Sequence, residues 1–153
     1  LSTRPCSVPG RLPWTGVTRE EAADACAAAG ARLCSVSEWA NACRGQAQTA
    51  YPYGAAFDPD TCNGRAYDAN QDALLPGDQP AGCVSSWSGG AIHNMSGNAK
   101  EWVVGGPSGH ELRGGAYDTL SLDTAGAGMS CDYQLPAPET TLRLPSIGFR
   151  CCK

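Results

Sequence analysis

Nine cysteines fall in 153 residues, and none is spaced to hold a metal. There is no C-x2-C pair, and the only adjacent thiols are Cys151 and Cys152. The two histidines, His93 and His110, have no cysteine near them in sequence. Zinc sites built on such spacings are therefore not encoded. This many cysteines without ligand spacing read as a disulfide framework, in a secreted, cell-surface or periplasmic setting. Nine is odd, so one thiol stays free or bonds outside the chain.

A crosslinked frame suits the rest of the chain. Its 19 glycines and 11 prolines make up about a fifth of the residues, so turns and loops dominate. The length corresponds to one domain. The net charge of −4, with no basic run, argues against nucleic acid or an anionic membrane as the main partner. No apolar stretch approaches the ~20 residues of a membrane helix. Leu1 is not an initiator Met and no signal peptide is visible, so the chain reads as a processed product or a fragment.

Two early helices are encoded. In "TREEAADACAAAG", Thr18 and Glu21 form a capping box, and Gly30 stops the helix. Ala22, Ala25, Cys26 and Ala29 fall on one face. In "SVSEWANACRG", Ser35 and Glu38 repeat the box, Trp39 and Cys43 share a face, and Gly45 ends the helix. Residues 46–92 read mostly as loop. Strands are expected late, at "EWVV", "ELRGGAY" and "IGFRCC". No G-x-S-x-G elbow is present, Glu20 and Glu21 are helix-start charges, and Asp58 and Asp60 read as a turn. His93 and His110 read as surface or loop residues.

Five stretches, in order, together carry a resemblance. They are the helix pair from Val17 to Gly45, "YPYG", "NMSGNAKEW", "LRGGAYD" and "IGFRCC". They are similar to the signatures of the formylglycine-generating enzyme (sulfatase-modifying factor) family. The resemblance implies an α+β, elaborated C-type-lectin-like fold with two early helices, long loops and a small antiparallel sheet, stapled by disulfides. It implies a single domain over 1–153 that lacks the family's N-terminal segment. A partner chain or an upstream stretch near Cys6 would supply that cover.

The family's enzymes hold copper(I) on two cysteines just after the R-G-G-S motif, where soft thiolates suit a soft ion. Here "RGGAYDTLSLDTAGAGMSC" has Ala116 at the serine position and no cysteine between Gly115 and Cys131. No copper is expected and no catalytic residue is assigned. The expected function is a non-catalytic extracellular binding or structural module whose ligand is protein or glycan. The alternatives are a copper-dependent oxidase or altered chemistry, and a retroelement-diversified receptor with its variable stretch near 117–133.

The resemblance also implies a structural calcium ion. Asn94 would give a side-chain oxygen, Gly97 and Ala99 carbonyls, and Glu101 a carboxylate, all hard donors. Lys100 would point outward. Asn63, Asp68 and Asp72 are candidates for a second ion, although their spacing matches poorly. "NMS" is also a glycosylation sequon, which a ligand role for Asn94 would exclude. The same resemblance pairs Cys26 with Cys151 and Cys43 with Cys131. Cys151 and Cys152 face opposite sides of a strand and take different partners. Cys34 is the candidate mate of Cys152, and Cys62 of Cys83. Cys6 remains, as the free or intermolecular thiol.

Overall fold

The computed structural model describes residues 8–67, 72–119, 126–136 and 139–153. Helix α1 spans Arg19–Ala28 and helix α2 spans Val36–Arg44, each behind the expected capping box. Thr18 Oγ1 accepts from the Glu21 amide at 3.2 Å, and the Glu21 carboxylate accepts from the Thr18 amide at 2.9 Å. Ser35 and Glu38 repeat this at 3.3 and 2.9 Å. Each box satisfies two amides that the first helical turn leaves without partners. Between the helices lies the short strand β1 (Arg32–Leu33).

The remaining strands come late. They are β2 (Val84–Trp87), β3 (Gly90–His93), β4 (Lys100–Val104), β5 (His110–Arg113), β6 (Leu135–Pro136), β7 (Ile147–Phe149) and β8 (Cys151–Cys152). The main sheet has the order β6-β5-β4-β7. Its first three strands are antiparallel, and β7 joins β4 in parallel. β2 and β3 form a separate hairpin, and β1 pairs with β8. That hairpin lies in a region read from sequence as loop. Its two-residue Ser88-Gly89 connection is a turn signal that the general glycine density concealed.

Alternation along β4 sends successive side chains to two cores. Trp102 joins Val17, Ala22, Cys26, Leu112 and Ile147. Val103 joins Trp39, Ala40, Cys43, Met95 and Cys131. Thus α1 covers one face of the sheet and α2 the other. Trp102 and Trp39 are the two largest fully buried side chains. Burying each contributes on the order of 3 kcal/mol. Their ring nitrogens are both satisfied, Trp102 Nε1 by the Val17 carbonyl and Trp39 Nε1 by Glu101.

Four disulfides tie these layers: Cys26–Cys151, Cys34–Cys152, Cys43–Cys131 and Cys62–Cys83. Cys26–Cys151 and Cys43–Cys131 are the pairs that the resemblance implies, and Cys34–Cys152 and Cys62–Cys83 are the candidate pairs among the remaining cysteines. The closing segment is not one strand but two, interrupted at Arg150. Cys151 reaches the α1 core and Cys152 the α2 core. Cys6 lies outside the described residues. Among the described residues, no helix is long and apolar enough to cross a membrane. The disulfides fit a protein outside the cytoplasm.

Candidate functional site

The turn from His93 to Glu101 lies between the β2–β3 hairpin and the main sheet. Asn94 and Asn98 both adopt positive φ, 54° and 64°, a conformation asparagine tolerates better than most residues. Gly97 has φ +73°, and a Cβ there would sit 2.5 Å from the Asn63 carbonyl oxygen. Only glycine fits such an approach. The R-G-G-A segment closes over this turn. The Gly97 amide donates to the Gly114 carbonyl at 2.7 Å, and the Tyr117 amide to the Asn98 carbonyl at 3.2 Å. Two stretches singled out separately in the sequence are therefore one structural unit.

The four expected calcium positions divide in their surroundings. Asn94 is only 7% exposed, and its Nδ2 donates to the carbonyls of Gly77 and Gln79 at 3.1 and 3.0 Å. Its Oδ1 is buried with no hydrogen-bond partner. Such an orphaned oxygen is costly, and a cation would relieve it. Glu101, also buried, is held from three directions. Trp39 Nε1 and Arg150 Nε donate to Oε2 at 2.7 and 3.1 Å, and Arg150 Nη2 donates to Oε1 at 2.9 Å. An ionised carboxylate offers about four acceptor positions, so one on Oε1 remains. Arg150 also donates to the His93 carbonyl at 3.0 Å. Burial opposes its charge, but the attraction and hydrogen bonds of Glu101 outweigh that and raise its pKa.

The other sequence candidates are placed as follows. Asn63 is fully buried, and its Nδ2 donates to the Ala73 carbonyl and to Asn98 Oδ1. Asn98 in turn clasps both backbone groups of Leu75. Asn63 thus secures the loop by hydrogen bonds. Asp72 has positive φ, and Asp68 lies outside the described residues. Among the described residues, no three His, Cys, Asp or Glu side chains cluster to hold a metal ion. Calcium at the turn would rest instead on two carbonyls, one amide oxygen and one carboxylate.

Three readings are corrected by the tertiary contacts. Lys100 does not point freely outward. Its side chain is 16% exposed and its Nζ lies 2.9 Å from Asp118. His93 and His110 sit half-buried on strands, not on a loop surface. Sequence reasoning also missed Arg150 as the partner of Glu101, and a buried pair on β5. There Arg113 and Glu111 are joined at 2.9 Å, with side chains 2% and 3% exposed. Their two-residue spacing in a strand puts both on one face, a signal that was available.

A C-type-lectin-like α+β scaffold with this motif set defines a class. The sulfatase-modifying factor enzyme 1-like domain matches residues 2–153, and the chain belongs to that family. Among solved structures, it is similar to Treponema denticola variable protein 1, with a TM-score of 0.56 and 15% identity. That likeness is one of fold. It covers 78% of this chain and 46% of the other, so the chain spans under half the length of that protein. No curated protein matches the chain.

Proposed function

We infer that this chain is a non-catalytic extracellular binding or structural module, built on a scaffold whose relatives include enzymes. One observation carries the reading. The family's copper reaction needs two thiolates after the R-G-G-S motif, and here Ala116 stands at the motif's serine position and no cysteine follows before Cys131. Cys131 is bonded to Cys43 and cannot serve as a thiolate ligand. Calcium is proposed as a structural ion at Asn94, Gly97, Ala99 and Glu101, supported by the partnerless Asn94 Oδ1. The setting is secreted, cell-surface or periplasmic, in keeping with the disulfides.

The test is incubation with a cysteine-containing sulfatase peptide, copper and reductant. The expected result is an unchanged peptide mass. A mass loss matching aldehyde formation would overturn the reading. A second reading, a diversified receptor, is favoured by the fold likeness to a protein named as variable. It predicts that residues 117–133 differ among copies of the gene while the scaffold does not.

A further inference from the structure

A cleft of about 460 Å³ opens between α1, the N-terminal extended segment and Arg143. That is within the range of roughly 300–1,000 Å³ typical of ligand pockets. Its apolar walls are Val17, Ala25 and the Trp14 ring. Trp14 is 52% exposed, yet its ring is braced edge-on against Phe149, with centroids 5.5 Å apart. The backbone behind it is tied down by the Gly16 amide, which donates to the Ile147 carbonyl at 2.9 Å. A large aromatic surface is thus held fixed at the rim and left uncovered.

The charges in the cleft are unequal. Arg143 is spent on Glu21, with Nη2 to Oε1 at 2.6 Å. Those two cancel. Asp24, three residues further along α1, also lines the cleft and is exposed. Among the described residues its side chain makes no hydrogen bond or ion pair. The cleft therefore combines one uncompensated carboxylate, a fixed indole and a small apolar floor. An anion would meet Asp24 and find the guanidinium already engaged. A cation on an apolar stem meets a carboxylate for its charge, in a cleft that the Trp14 indole and alanine methyls also line.

We propose that this cleft receives an arginine side chain of a partner polypeptide, with Asp24 and Trp14 as its recognition residues. Apolar residues flanking that arginine would meet Leu12 and Leu144, which are 60% and 42% exposed on segments adjoining the cleft. Guanidinium stacks on indole and pairs with carboxylate in one planar group, which ammonium cannot do. The proposal rests on the reading of the chain as a binding module, but its test is separate from the aldehyde assay.

The experiment is a titration of the intact, oxidised chain with acetyl-Leu-Arg-Leu-amide, followed by the indole N–H resonance of Trp14. That resonance is assigned by its loss in Trp14→Phe. The expected result is a saturable shift that acetyl-Leu-citrulline-Leu-amide does not produce. Asp24→Asn, on the exposed face of α1, should weaken binding about fivefold or more, and Trp14→Ala by a similar factor. Equal binding of the citrulline peptide, or unchanged binding to Asp24→Asn, would overturn the proposal. So would the absence of any saturable shift. Free arginine binding as tightly as the peptide would overturn the assignment to a polypeptide partner.

Discussion

Arg150 grips Glu101 with two nitrogens, Nη2 on Oε1 at 2.9 Å and Nε on Oε2 at 3.1 Å. The pair joins the break between β7 and β8 to the start of β4. It also orients the acceptor for Trp39 on α2. Glu101 is buried and Arg150 half-buried, so removing one member leaves the other without its counter-charge and largely away from water. Arg150→Met or Glu101→Gln should therefore cost about 3 kcal/mol in urea unfolding. The double variant should cost clearly less than the sum of the singles. Additive losses would show that the two side chains act independently.

The proposed calcium would share the Glu101 carboxylate with Arg150, which makes the ion testable. Elemental analysis of the purified chain should find one calcium per molecule. Chelation should then lower the thermal midpoint, because an ion that binds only the folded state stabilises it by mass action. No calcium and no shift would mean that Arg150 and Trp39 hold the turn unaided. In either case Asn94 should carry no glycan when the chain is expressed in a glycosylating host. Its side chain is buried and its Nδ2 is already bonded to two carbonyls.

The disulfides should differ in worth according to the loops they close. Cys26–Cys151 spans 125 residues and Cys62–Cys83 spans 21. With Cys34–Cys152 intact, however, the path from Cys26 to Cys151 through that bond is only about ten residues, so in the chain-entropy model Cys62–Cys83 closes the longer remaining loop and stabilises by roughly 0.5–1 kcal/mol more. Paired Cys→Ser variants compared by chemical denaturation should follow that order. Non-reducing peptide mapping should return the four pairs, and a thiol reagent should label Cys6 alone.

Acid should destabilise the fold through three carboxylates. Hydrogen bonds from Arg32 and Ser35 hold the Glu38 pKa far below the ordinary glutamate range. The Thr18 amide and Arg143 lower that of Glu21. Burial pushes Asp118 up, but hydrogen bonds from Lys100 and Ser146 bring it below its ordinary value. Each folded-state pKa is depressed, so each contribution is complete above the unfolded value, near 4. It is lost as pH falls towards the folded value. The thermal midpoint should be flat from pH 7 to 5 and drop below about pH 4, with a smaller drop in Glu38→Gln. A midpoint unchanged down to pH 2.5 would contradict this assignment.

The sequence by itself determined the features whose causes are local or covalent. A capping box is complete within four residues, so Thr18 to Glu21 and Ser35 to Glu38 announced both helices. The motif stretches from Val17 to Cys152 announced the family, and with it the pairs Cys26–Cys151 and Cys43–Cys131. The tertiary structure decided which charges meet. Nothing near Glu101 in sequence indicates Arg150, 49 positions away. Nor does anything near Lys100 indicate Asp118, 18 positions away. The parallel docking of β7 on β4 and the interruption at Arg150 were equally invisible. A strand's own residues do not reveal its neighbour's direction, and a buried charge takes the partner that packing leaves within reach.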